Sequence, residues 1–397
     1  MTTASPRVCR PETAVAIAAL VAGLTLGGLI LAGTMPSRLG LFLVGGGLGI
    51  ALYHGAFGFT GGWRRFVLQR RADGLRAQFA LLAVTMTLMV PLLALAQGSG
   101  MTGAVAPLGV SLIVGAFLFG AGMQFGGGCG SGTLFTVGAG NLRMLVTLAF
   151  FIAGSVVGTV HLPWWLRQPR LDPLDLAASL TVPGALVLQL AACGALALWV
   201  TRIERNHHGN IERPVLAMPA GGFGRALISG PWPLIWAVIA LALGNLAVLL
   251  LSGRPWGITF AFALWGAKIM QAIGIDPTQF EYWTWRYPAA ALNRSVLFDA
   301  TSVTNFGLLI GSMGAAAMAG RFGHAARARI PLRALMSAAF GGLLMGYGAR
   351  LAFGCNIGAM FSGIASASLH GWVWFAAAWI GSYAAIQLRR PGYSGTG

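Results

Sequence analysis

Cys129 and Cys355 are the residues of this chain best suited to chemistry on a soft solute, because each stands in a glycine-rich break between apolar runs. The first break reads Gly126-Gly127-Gly128-Cys129-Gly130-Ser131-Gly132-Thr133, and the second Phe353-Gly354-Cys355-Asn356-Ile357-Gly358. Glycine at this density disfavours continuous helix. Non-helical backbone survives at membrane depth only where protein or a watery cavity satisfies its polar groups. Such a break frees backbone N–H groups, and a helix restarting after it turns its positive dipole end on the site. The site therefore favours an anion, with a neutral thiol beside it as a weak S–H donor. A free cysteine is also an ordinary small buried hydrophobe, and that reading suffices for Cys9, near the terminus, and Cys193, among alanines.

The two breaks are copies of one another. Shifting residues 115–139 by 226 lays them on 341–365 without a gap, superposing Gly115 on Gly341, Leu118 on Leu344, Gly120 on Gly346 and Gly122 on Gly348. The same register puts Gly128-Cys129 on Gly354-Cys355, Gly132 on Gly358 and Phe135 on Phe361. Glycines match by chance in an apolar chain, but superposing two of only four cysteines argues for a true repeat. Gln124 falls on Arg350, so polar groups occupy equivalent positions inside both apolar runs. Intramembrane charge marks a functional site by default, and the competing role for Arg350 is to satisfy carbonyls of the broken helix. Lys268, the only lysine, sits in Trp265-Gly266-Ala267-Lys268-Ile269-Met270 and either faces the path or snorkels to an interface. His54 is either a gate or proton shuttle or a packed polar group.

The surrounding elements must be membrane helices. Of 397 residues, 56% are apolar and 9% charged, with a mean hydropathy of +0.75, against roughly 25% charged in soluble proteins. Apolar runs near 14–33, 39–59, 77–96, 104–123, 144–160, 180–200, 232–251, 257–275, 301–319, 334–349 and 372–388 each suit a hydrocarbon core of about 30 Å. The first follows Arg7 and Arg10 like a signal peptide, but it is of membrane length without a clear cleavage site. The net charge of +17 comes from arginines clustered at 63–76, 202–225, 321–333 and the end, as in loops held inside by the positive-inside rule. No aromatic-plus-basic stretch of the single-strand-binding kind occurs, so nucleic acid is excluded as a partner. Placing all four clusters inside fails to balance between 276 and 300. Either an extra short crossing hides there or the helix at 257–275 is re-entrant. The expected fold is all-α: two pseudo-symmetric, inverted halves, 12–201 and 232–390, joined by a cytoplasmic linker at 202–231. Together they make one transport domain, 1–397, of about 9–12 spans.

The motifs resemble the YeeE/YedE family of bacterial membrane proteins, which take up thiosulfate or related sulfur compounds. The resemblance rests on the first break with Gly140-Asn141-Leu142, and on Tyr347-Gly348-Ala349-Arg350-Leu351-Ala352-Phe353-Gly354-Cys355-Asn356-Ile357-Gly358-Ala359 with Ser362-Gly363-Ile364-Ala365 and His370-Gly371-Trp372. Gly55-Ala56-Phe57-Gly58-Phe59-Thr60-Gly61-Gly62-Trp63-Arg64 looks like the family's first motif. In the thiosulfate branch that motif carries a third cysteine, where Gly58 stands here. The long second motif is more like the YedE branch, for which a selenium species has been suggested.

The resemblance implies a multi-pass protein of the bacterial inner membrane that imports a small sulfur-containing anion, relayed by Cys129 and Cys355 through hydrogen bonds. Gly128, Gly130, Gly354, Asn356, Gly358, Arg350, Gln124, Lys268, Gly58 and His54 complete the candidate path. No metal spacing, no cofactor motif and no Walker A lysine are present. Moving a divalent anion inward against 100 mV costs about 4.6 kcal/mol. Uptake then needs consumption of the cargo, a co-transported ion, or a partner, for which a small cytoplasmic sulfur-carrier protein is the candidate. Asp299 is the one carboxylate near a span worth naming as an ion site. A membrane-embedded enzyme handling persulfide is the alternative, and it lacks a base spaced to activate either thiol.

Overall fold

The computed structural model describes residues 11–212, 223–323 and 330–389. Cys9, Arg7, Arg10, Arg213, Arg327, Arg329 and Arg390 lie outside them. The first half contains α1 (Thr13–Gly33), α2 (Pro36–His54), α3 (Phe59–Gln69), α4 (Asp73–Leu95), α5 (Val110–Gly126), α6 (Gly130–Gly138), α7 (Leu142–Leu166), α8 (Leu176–Leu180) and α9 (Val182–His208). The second contains α10 (Phe223–Ser229), α11 (Leu234–Ser252), α12 (Thr259–Ala272), α13 (Arg286–Leu292), α14 (Ala300–Met318), α15 (Leu332–Leu351), α16 (Ser362–Ala365) and α17 (Leu369–Arg389). A π turn at Asn356–Phe361 leads into α16. Two-residue strands β1 (Leu108–Gly109) and β2 (Arg170–Leu171) pair antiparallel, Leu108 opposite Leu171. The chain is a multi-pass all-α membrane protein, in which seven helices among the described residues are long and apolar enough to cross a bilayer. The helices α14, α15 and α17, of 19, 20 and 21 residues, run beside them.

Each apolar run read from the sequence supplies a helix, although stretches such as 55–58 and 104–109 lie outside helices. Two basic stretches differ from their reading as loops, and the segment 276–300 bears on the short crossing expected there. The cluster at 63–76 is mostly helix: α3 reaches Gln69 and α4 begins at Asp73. It folds because α3 buries Phe59, Thr60, Trp63, Phe66 and Val67 along one stripe while its arginines take the other. Residues 202–208, assigned to the linker, continue α9, whose buried Glu204 is paired with Arg76 and, at 3.4 Å, with Arg71. Between 276 and 300 there are only three-residue and four-residue 3₁₀ turns and the seven-residue α13. At about 1.5 Å per residue none of these crosses a membrane.

Glycine packing holds the long helices together. A Cβ on Gly45 would strike the carbonyl of Thr304, and one on Gly49 that of Leu308, so α2 and α14 touch backbone to backbone. Gly154 meets Leu343 of α15 in the same way, and a Cβ on Gly158 would lie 2.7 Å from Arg350 Cβ. Gly45 with Gly49 and Gly154 with Gly158 thus form pairs of small residues four apart that let helix backbones approach closely, and Gly158 makes room for the arginine stem. Gly115 lies against Gly348 and Leu351 while Gly126 lies against Gly341, so α5 and α15 run antiparallel.

The described basic segments share one face of the bundle. His208 Nε2 lies 2.8 Å from the Gln69 carbonyl, Arg64 donates to Gln124 at 2.9 Å, Ser337 donates to the Phe125 carbonyl at 2.9 Å, and the Gly323 N–H donates to Ala139. The opposite face joins Thr102 to Gly253, Ala104 to Ser366 and Leu176 to Ala367. The first face is expected to be cytoplasmic. Single cysteines placed at 70, 209 and 321 should therefore react with a membrane-impermeant maleimide only from the cytoplasmic side. Those at 99 and 172 should react only from the other.

Candidate functional site

Both cysteines occupy the same backbone position. Gly127, at φ +92°, ends α5 by turning left-handed, and Cys129 then caps α6 in extended geometry, φ −84° and ψ −168°. Beyond α15, Phe353 and Gly354 take φ +60° and +153°, and Cys355 precedes the π turn at φ −104° and ψ −168°. A positive φ at phenylalanine is strained and persists where surrounding structure holds it. The Cys129 Sγ accepts the Gly132 N–H at 3.5 Å and lies 3.4 Å from Ser131 Oγ. Both thiols are free and buried.

The two breaks meet. A Cβ on Gly130 would lie 3.1 Å from Cys355 Sγ and 3.6 Å from Ile258 Cγ2, so glycine lets the second thiol seat closely against the first motif. One on Gly358 would lie 3.6 Å from Gly257 Cα. Gly257 and Ile258 belong to a third break, between α11 and α12, that carries no cysteine. Gly58, at φ −136° and ψ 130°, opens a fourth at the N-cap of α3. Polar side chains follow the breaks. The Asn356 amide nitrogen and oxygen, Thr133 Oγ1 and Thr60 Oγ1 are all buried without a partner among the described residues. Such groups are costly unless a ligand or water satisfies them.

On the face opposite the basic segments opens a cavity of about 630 Å³ whose lining includes Arg38, Arg254, Arg294, Arg350 and Asp299. Gly257 and Phe353 bring it to the third and second breaks. Arg350 is 8% exposed. Its guanidinium donates to Thr259 Oγ1 at 3.0 Å and to the Tyr282 hydroxyl at 3.4 Å, leaving a buried Nε without a partner. Four cations against one carboxylate, in a partly desolvated recess, make a site for an anion. A second cavity, of about 450 Å³, lies on the other face around Gly58, Gly61, Gly62, Arg65, Asp73 and Gln78.

Of the remaining sequence candidates, Gln124, Lys268 and His54 lie outside the linings of both cavities, and only Asp299 lines one. Gln124, the repeat partner of Arg350, is fully engaged: it accepts from Arg64 and donates to Ser382 Oγ at 2.6 Å. Lys268 donates to the Leu292 carbonyl at the end of α13. His54 ends α2 packed against Tyr53 and Trp232, outside the lining of either cavity. Asp299 caps α14 through the Ser302 N–H at 2.7 Å and accepts from the Tyr287 hydroxyl at 3.4 Å. Among the described residues no cluster of His, Cys, Asp and Glu could hold a metal. The sequence reading missed Ile258, Thr259 and Tyr282. A usable signal existed, since Gly58-Phe59-Thr60 and Gly257-Ile258-Thr259 are the same Gly-apolar-Thr string at two breaks.

Interrupted helices that bring glycine-freed backbone between two vestibules define a membrane transport architecture. The profile of the Sulphur transport family matches residues 54–384, and the chain belongs to that family. It is 27% identical over 346 residues to the thiosulfate transporter TsuA of Spirochaeta thermophila, covering 83% of this chain and 92% of that protein. Against TsuA of Escherichia coli the figures are 26% over 342 residues, 82% and 87%. The probable transporter YedE of Escherichia coli is 30% identical over 156 residues, and that match spans 38% of this chain and 36% of the relative.

Proposed function

We propose that the chain carries a small sulfur-containing anion across the bacterial inner membrane, through the basic vestibule, past Cys355 and Cys129, and out by the Gly58 vestibule. The observation that carries this reading is the approach of Cys355 Sγ to the Gly130 position, where Phe353 of the second break lines the arginine-rich cavity. Arg350 receives the anion, and the thiols pass it on as soft, neutral, weak donors. The buried Asn356 and Thr133 side chains supply harder donors beside them. The halves 12–201 and 232–390 act as inverted repeats about this point, in keeping with the antiparallel run of α5 and α15. Release at the Gly58 vestibule delivers the cargo to a consuming reaction or a small sulfur-carrier protein. The two thiosulfate-transporter relatives favour thiosulfate as the first cargo to test. Proteoliposomes holding only this protein should take up labelled thiosulfate in preference to sulfite and selenite. Equal or absent uptake of all three would refute the assignment.

Gly58 offers a sharper test. A Cβ there meets nothing within 4 Å, and the backbone is ordinary extended geometry at a helix N-cap, like that of both cysteines. Gly58→Cys should therefore fold normally and add a third thiol. Thiosulfate uptake should rise by roughly threefold or more, a lowering of the barrier by at least about 0.6 kcal/mol. Unchanged uptake by a normally inserted Gly58→Cys protein would show that this thiol does not separate the two branches.

A further inference from the structure

We propose that Ile258 is the selectivity collar of the constriction: an apolar side chain fixed beside the thiol pair, which excludes hydrated anions that thiols cannot strip. The inference rests on the path just proposed and adds a residue that neither thiol chemistry nor charge would single out.

Four breaks precede restarting helical segments, and the residue at the restart is Gly58, Cys129, Ile258 or Cys355. Three of these are small or carry a thiol. The fourth is bulky, β-branched and 1% exposed. Its Cγ2 and the Cys355 Sγ both press on the Gly130 position, at 3.6 and 3.1 Å from where a Cβ would stand. The isoleucine side chain thus shares the Gly130 position with the second thiol, and it directly follows Gly257, which lines the cation-rich cavity.

The backbone that carries it is pinned from several directions. Asn305 Nδ2 donates to the Ile258 carbonyl at 3.0 Å, and the Trp256 N–H donates to Asn245 Oδ1 at 2.8 Å. Ser362 Oγ donates to the Trp256 carbonyl at 2.8 Å, tying the third break to the segment that follows Cys355. With backbone fixed and χ1 stiff by β-branching, the side chain acts as a rigid wall rather than a swinging lid. Apolar constrictions of this kind exclude ions by refusing their water. A polarisable anion that sheds water readily and accepts weak S–H donors passes. A strongly hydrated one, such as sulfate, has no hydroxyl or amide at position 258 to replace its shell.

The test is anion selectivity in proteoliposomes. Ile258→Ala should admit labelled sulfate at least tenfold faster than the unsubstituted protein, with thiosulfate flux kept or raised. Ile258→Val, which loses one methyl and keeps the branch, should fall between. Monodispersity in detergent checks the fold, and should the alanine variant aggregate, the valine variant decides. Sulfate exclusion undiminished in a monodisperse variant overturns the collar. The path itself fails separately, if Cys355→Ala transports thiosulfate normally. Loss of transport in Cys355→Ala together with intact selectivity in both Ile258 variants would therefore condemn the collar alone.

Discussion

Cys355→Ala is expected to lower thiosulfate uptake at least tenfold, and Cys129→Ala likewise, while Cys193→Ala and Cys9→Ala leave it unchanged. An anion crossing a dry constriction must exchange water for protein donors at each step. Cys355 is fully buried and Cys129 is 1% exposed, so no water stands ready to replace a deleted donor. About 1.4 kcal/mol of added barrier is already tenfold in rate, within the roughly 1–3 kcal/mol that one unmet buried hydrogen-bonding group costs. Serine should rescue only partly, because its hydroxyl donates more strongly and matches sulfur poorly in size. Rescue at 129 should be the better of the two, since Ser131 Oγ and the Gly132 N–H already surround that position. Cys193 is just as buried, at 3% exposed, but sits in α9 away from every break, which makes it the control for burial alone. The measurement is initial uptake of labelled thiosulfate, normalised to protein in the membrane.

Arg350→Gln carries the second large effect. Its guanidinium is the most buried cation lining the arginine-rich cavity, and its buried Nε has no partner among the described residues. A charged hydrogen bond is worth about 1.5–3 kcal/mol, so the apparent affinity for thiosulfate should fall by roughly tenfold to a hundredfold. Arg350→Lys should recover part of this, because charge returns without the planar fork. A purely structural arginine predicts something different: reduced monodispersity through the lost bonds to Thr259 and Tyr282, and unchanged KM in whatever protein still inserts. Concentration dependence of uptake, with size-exclusion profiles of each variant, separates the two.

The sequence was most informative where its pattern was local. Cysteine within glycine marked two of the breaks, and apolar runs placed the long helices, because both signals lie in a few consecutive residues. The third break was illegible by the same rule. It holds Gly257, Ile258 and Thr259 with no thiol to draw attention, and its importance lies in what it touches. The vestibule was harder still, since Arg38, Arg254, Arg294 and Arg350 come from four remote segments that only the packing of α2, α11, α14 and α15 assembles. Arginine density misled at 63–69. Charge suggested a loop, yet Phe59, Trp63 and Phe66 keep helical spacing and bury one face. Gln124 shows the limit of repeat logic. It matches Arg350 in register and in burial, but Arg64 of α3 and Ser382 of α17 already occupy it.

The central claim is that the Cys129–Cys355 constriction is the route itself. It is tested most directly by reconstituting the Cys129→Ala, Cys355→Ala double variant and following labelled thiosulfate into vesicles. The account predicts a properly inserted, monodisperse protein with uptake at the level of empty liposomes. Thiosulfate flux equal to that of the unsubstituted protein would contradict it.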